Sequence, residues 1–177
     1  VKAGYSLNYM MGRYATADTR YNGMGNVAGS VAAYAWAEWQ PVKDAITVYG
    51  NYSSALRASN GALAQWGATL GVPVVNKINA FVDVSRYWAD QRYQQTYYGV
   101  SSAQAGSSNT YSAYTPTSSG TLYSNTLWGA MFEATKDIDL VVGVGKSSAT
   151  GLLMNSPLLD RKTQTNATLV LNQRLGK

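Results

Sequence analysis

The chain has no cysteine and no histidine among its 177 residues. Without cysteine there is no disulfide and no thiolate nucleophile. Without histidine, Ser-His-Asp and Cys-His catalysis and histidine-ligated metal sites are excluded. Charge is scarce as well: charged residues make up 13%, about half of the roughly 25% usual in soluble domains. The net charge of +5 is scattered, with no run of Lys or Arg, so nucleic-acid binding has no support. No apolar stretch reaches the ~18 residues of a transmembrane helix. Phenylalanine is nearly absent, with 2 residues, against 14 Tyr and 5 Trp. Rings with a polar tip suit a membrane–water boundary.

Little catalytic chemistry survives these absences, and no enzyme, cofactor or metal is expected. Asp137 and Asp139 could act as a carboxylate pair, but they flank a turn, where solvation suffices. The glycines at 23, 25 and 29 do not form a dinucleotide fingerprint, because the third falls one position late and no βαβ unit surrounds it. The sequons at Asn51 and Asn166 lie in strands and are read as chance.

What the chain does have is alternation of apolar and polar residues with period two, in stretches of about ten. The strands are expected at about 2–14, 26–40, 45–55, 63–72, 78–88, 120–134, 138–147 and 164–175. In the fourth, Ala64, Trp66, Ala68, Leu70 and Val72 alternate with Gln65, Gly67, Thr69 and Gly71. In the second, Val27, Val31, Ala33, Ala35 and Trp39 are placed on the apolar face and Ser30, Tyr34 and Glu38 on the polar face. The alternative turns Tyr34 and Trp36 outward.

Connections after the first, third, fifth and seventh stretches are long, and those after the second, fourth and sixth are short. The longest, residues 89–119, is read as an outer loop with a helical turn at 101–107. A soluble sandwich has no reason to sort its loops by parity. An outer-membrane barrel has short turns at one rim and long loops at the other, with apolar residues outward and polar ones inward. The expectation is therefore an all-β antiparallel transmembrane β-barrel, one domain over 1–177. It has about eight strands, either complete or part of a barrel of about 10–12. Its partners would include outer-membrane lipid and lipopolysaccharide. Asp83, Glu133 and Arg174 are candidate lumen charges. Arg174 near Glu133 or Asp83 would make an ion pair, and the alternative is separate hydration.

The loop after the fifth strand carries a resemblance. Residues 88–93 read Trp-Ala-Asp-Gln-Arg-Tyr, and 97–105 read Tyr-Tyr-Gly-Val-Ser-Ser-Ala-Gln-Ala. Tyr114-Thr115-Pro116 and Gly120 follow, and 155–161 read Asn-Ser-Pro-Leu-Leu-Asp-Arg. This resembles the MipA/OmpV family of bacterial outer-membrane proteins. The layout matches along the whole chain, and the two loops carry the specific part. The family's Ser-Gly-Leu-Pro-Ala-Tyr segment is altered here to Ser-Asn-Thr-Tyr-Ser-Ala-Tyr at 108–114. Family members carry further strands upstream, so Val1 is expected to begin partway round a larger barrel. They tend to end in an aromatic residue, whereas Leu175 and Gly176-Lys177 stand here.

The resemblance implies a non-enzymatic scaffold in cell-envelope maintenance, linking a murein hydrolase to a murein synthase. Two other readings stand beside it. One is a narrow channel for small solutes, although an interior of about eight strands is just filled by side chains. The other is a surface adhesin acting through residues 89–119, with Arg92, Tyr93, Tyr97, Tyr98, Gly99, Gln104, Tyr111 and Tyr114 as candidate contacts. A soluble secreted sandwich is a fourth reading.

Overall fold

Alternating side chains become a strand because only an extended backbone sends successive residues to opposite faces. A computed structural model of the chain describes residues 1–108 and 110–173. It contains eight strands: β1 (Lys2–Met10), β2 (Ser30–Val42), β3 (Ile46–Ala55), β4 (Ala62–Val75), β5 (Ile78–Ala89), β6 (Gly120–Thr135), β7 (Ile138–Ala149) and β8 (Thr163–Gln173). Two helices, α1 (Gln91–Tyr98) and α2 (Ser102–Ser108), lie between β5 and β6. The strands form one sheet in chain order, each pair antiparallel. This is the up-and-down arrangement of a β-barrel. No helix among the described residues is long and apolar enough to cross a membrane.

The register sorts the two faces. Ile46, Leu70, Val82, Trp128, Val144 and Ala167 oppose one another in a continuous row from β3 to β8. The row between residues of opposite parity runs Thr47, Thr69, Asp83, Leu127, Gly145 and Asn166. The first row belongs to an apolar outer wall that is open to the surroundings: Tyr5 is 91% exposed and Leu169 72%. Trp66, Leu70 and Val142 are exposed as well, so they share no dry interior and a two-sheet sandwich is excluded. A water-solvated monomer rarely shows so much contiguous apolar surface. The buried apolar clusters lie instead at the long-loop rim, around Leu153 and around Val100.

The inner wall packs bulky residues against glycines. A Cβ on Gly129 would stand 2.5 Å from the Phe81 ring, and one on Gly67 would stand 2.6 Å from the Tyr49 hydroxyl. The same rule decides β2. Tyr34 opposes Ser6 and Ser53, and Trp36 lies over Gly4, whose Cβ would be 2.7 Å from the indole nitrogen. Both rings face inward with the polar set.

Strand ends differ from the sequence reading in ways that have causes. β2 and β4 run through Pro41 and Pro73, which the sequence places in turns. Each sits at a register shift, Trp39/Val42 and Pro73/Val75, where a residue without an N–H is tolerated. β1 stops at Met10 rather than near Tyr14. From there only Arg13 bridges, to Val27, because residues 11–29 fold over the rim. β1 and β8 each have a single bonded neighbour among the described residues.

Candidate functional site: a sealed rim and an open rim

Four connections meet at the long-loop rim: residues 11–29, 56–61, 90–119 and 150–162. Their centre is α1, a helix in a stretch whose composition predicts loop. Asp90 caps it, accepting a hydrogen bond from the Tyr93 N–H at 2.8 Å. A Ser, Thr, Asp or Asn at this position satisfies a helix N–H that has no partner in the helix. Gln94, only 2% exposed, donates to the Ala89 and Ser118 carbonyls at 3.2 and 3.1 Å. Gln91 donates to the Pro116 carbonyl at 2.9 Å. These bonds tie the helix to the end of β5 and to the start of β6.

The other loops are tied to α1 in turn. Arg13 donates to the Tyr97 carbonyl at 2.8 Å and stands 4.9 Å from the centre of the Tyr21 ring. The Tyr97 hydroxyl donates to the Met11 carbonyl at 3.1 Å. Buried Asn60 donates to the Ala28 carbonyl at 2.7 Å. Ser156 donates to the Tyr98 carbonyl at 2.6 Å, and the Tyr98 and Tyr123 hydroxyls pair at 3.2 Å. Val100 and Tyr114 exchange backbone hydrogen bonds at 2.8 Å each. The expected helical turn at 101–107 is present as α2.

Most of the loop residues proposed as adhesive contacts are therefore engaged inside this cap. Tyr93 stacks on Tyr97 with ring centres 4.4 Å apart, and Tyr93 and Tyr98 pack on the cluster around Leu153. Tyr111 and Tyr114 pack on the cluster of Met24, Val100 and Leu158. Gly99 is buried, and Gln104 accepts from the Ser101 N–H at 2.8 Å while donating to the Met24 carbonyl. Arg92 is the exposed one, on the outer side of α1. It lines a shallow groove with Ser59, Gln95 and Thr96.

Burial dominates the electrostatics of the cap. It pushes the Tyr93 and Tyr98 phenols well above their ordinary range, and the hydrogen bond with Tyr123 adds to the effect at Tyr98. Burial also lowers the Arg13 guanidinium, partly offset by Tyr21 and Tyr97. The sign of the pH dependence follows. An unfolded tyrosine ionises near pH 10, whereas the capped ones stay neutral beyond it. Their contribution is complete below about 10 and is lost as pH rises through the raised range. Alkaline titration is expected to release the cap in one step, with tyrosinate absorbance and loss of α1 ellipticity rising together. Tyr98→Phe keeps the packing and flattens that alkaline slope.

The inner wall below the cap is polar and internally bonded. Asp83 accepts from the Tyr49 hydroxyl at 3.0 Å and from the Thr69 hydroxyl at 2.7 Å. Asn51 donates to Gln65 at 3.1 Å. Asp83 and Glu133 are not brought together: Asp83 opposes Leu127, while Glu133 opposes Asp139 beside the last short turn. The expected third lumen charge, Arg174, lies outside the described residues.

The opposite rim is open. A cavity of about 480 Å³ enters there, lined among others by Gln40, Asp44, Thr47, Asn79 and Glu133, with Thr69 and Phe81 deeper in. The three short turns around it carry Lys43, Asp44, Lys77, Lys136 and Asp137. No group of His, Cys, Asp and Glu among the described residues is placed to hold a metal. The site offers polar contacts and shape.

An eight-stranded up-and-down antiparallel sheet with one apolar face, one polar face and its long loops gathered at one end has the arrangement of a β-barrel protein. The chain belongs to the MipA family: the family model described as "MltA-interacting protein MipA" matches residues 1–174. No curated protein and no solved structure matches the chain.

Proposed function

We propose that this protein is an integral outer-membrane barrel serving as a non-enzymatic scaffold, which engages murein-processing enzymes at its short-turn rim. The observation that carries the reading is the contrast between the two rims: one is closed by the chain's own loops, and the other presents an open polar cavity. In outer-membrane barrels the short turns face the periplasm, where murein lies. The family description, MltA-interacting protein, supports a protein partner of that kind.

Lipid explains the wall. Hydrocarbon offers no hydrogen bonds, so it favours a sheet whose backbone groups pair within the protein. For the same reason the edges of β1 and β8 must each be paired in hydrocarbon, with one another or with a further strand, since each unpaired group costs several kcal/mol there. A narrow solute channel is disfavoured by the cap and by an inner wall filled by Tyr49, Phe81 and Leu127. A loop adhesin is disfavoured because the loop tyrosines are spent on internal packing.

The test is capture of purified MltA by the full-length protein in detergent. Asp44→Lys with Glu133→Lys is expected to reduce capture at least tenfold, while Arg92→Glu leaves it unchanged. Loss with Arg92→Glu alone would move the interaction to the cap and overturn the reading.

A further inference from the structure

Two charged side chains break the apolar outer wall. Among the described residues, Arg86 on β5 and Lys146 on β7 are the only charged groups whose strand register turns them outward. Arg86 opposes Trp66 and Ser124, and Lys146 opposes Thr126 and Thr165. The strand acids Glu38, Asp83, Glu133 and Asp139 all have the opposite parity and face inward. Arg86 and Lys146 are exposed, and neither makes an ion pair or side-chain hydrogen bond with a described residue.

Their depth is the same. β5 begins at Ile78 and β7 at Ile138, both at the short-turn rim, so each cation stands eight residues up its strand (86 − 78 and 146 − 138). At ~3.3 Å per residue and a tilt of about 40°, that is roughly 20 Å across the sheet. The apolar band of such a barrel is about 25 Å tall. A long cationic side chain that snorkels upward covers the remainder.

The surroundings change at the same level. Below it the wall is Val82, Val84, Trp128, Val142 and Val144. At it stand the hydroxyls of Ser124, Thr126 and Thr165. A groove of about 460 Å³ runs beside Arg86, lined by Trp66, Ala68, Val84, Ser124 and Thr126. On the β1–β3 side the outward residues stay largely apolar toward that rim, with Tyr9, Val31, Ala33 and Tyr52. The notch is therefore confined to one side of the wall.

We propose that Arg86, Lys146 and the hydroxyls between them bind the phosphate group of a phosphorylated lipid in the leaflet on the long-loop side, with an acyl chain along the Trp66–Val84 groove. Adjacent strands lie about 4.8 Å apart, so the two cations, two strands apart, can converge on one headgroup. Arg donates two parallel hydrogen bonds to phosphate, and Lys adds a mobile charge. With both heads at the interface the cost of exposing them is small, and a bound anion neutralises the pair there. The inference rests on the lipid-facing reading of the wall.

The experiment uses the full-length protein in phosphatidylcholine bilayers containing a brominated phosphatidylcholine, with diphosphorylated lipid A as the titrated probe. Quenching of tryptophan fluorescence by bromine in the acyl chains tests the lipid-facing wall by itself. Saturable lipid A binding is expected. Arg86→Gln with Lys146→Gln should weaken it at least tenfold, whereas Lys136→Gln at the other rim should not. Inorganic phosphate at the same concentration should not compete, and dephosphorylated lipid A should bind as weakly as the double variant shows. Equal binding by wild type and double variant, or full competition by phosphate, overturns the headgroup site while quenching persists. Absence of quenching overturns the site and the reading beneath it.

Discussion

Gly61→Ala is expected to unseat α1 and open the long-loop rim. Gly61 has φ +68° and ends the 3-10 turn at Ala58–Asn60. A side chain there meets two penalties. A backbone at φ +68°, ψ −157° is essentially reserved for glycine and costs an L-residue roughly 1–3 kcal/mol. The new Cβ would also lie 2.3 Å from both the Asp90 carboxylate and the Tyr93 backbone nitrogen. Those two atoms make the helix cap, so relief of the clash breaks the 2.8 Å bond between them. Loss of an N-cap costs about 1 kcal/mol and forced overpacking about 1–3 kcal/mol. The sum, about 3–7 kcal/mol, exceeds what a helix of eight residues can lose, since such short helices depend on tertiary packing. Hydrogen exchange should show the α1 amides losing protection while β3–β7 keep theirs. Bilayer recordings should show no conductance in either protein, because Tyr49, Phe81 and Leu127 still fill the inner wall below the cap.

Leu153→Ala is expected to act on the same cap from the opposite side. Leu153 is 1% exposed and is packed with Ala89, Leu122 and Ala149, against Tyr93 and Tyr98. It lies in a 3-10 turn, Gly151–Asn155, carried by the loop between β7 and β8. Truncation of a buried leucine costs about 2–5 kcal/mol, and the upper end applies where surroundings cannot collapse. Here collapse is limited, because Ala89 and Ala149 are held by the sheet ladder and the Leu122 carbonyl accepts from the Thr150 N–H at 2.8 Å. The expected result is a lowered midpoint for cap unfolding with the sheet intact, measured by near-ultraviolet dichroism of the tyrosines. Leu153→Met conserves volume and should restore most of the loss. If the sheet unfolds together with the cap, the two are a single cooperative unit.

The two variants also separate what was readable in the chain from what was not. The strands were readable because their signal is local: Trp66, Ala68 and Leu70 lie on one side of β4 whatever surrounds them. The resemblance in the two loops was readable for the same reason, as residues in order. α1 was missed although Asp90 at its start and Gly99 at its end are ordinary helix boundary residues. Its polar residues Gln91, Gln94 and Gln95 carry no apolar stripe, and the partners that bury Gln94 come from Ala89 and Ser118. The loop tyrosines were read as adaptable contacts from composition. Their burial depends on rings and carbonyls far along the chain, as with Arg13 and Tyr97, 84 positions apart.

The sequence alone determined the class of sheet, the two faces and the division into long and short connections. Period-two alternation and turn residues act between neighbours, and hydrocarbon or water outside selects the face without reference to distant residues. Only the tertiary structure decided that one rim is closed, that Trp36 turns inward over Gly4, that Asp83 and Glu133 stay apart, and that Arg86 and Lys146 reach the same height. Each of those depends on register or on bonds between loops. A carbonyl that will accept from Arg13, Asn60 or Ser156 leaves no mark in the order of residues.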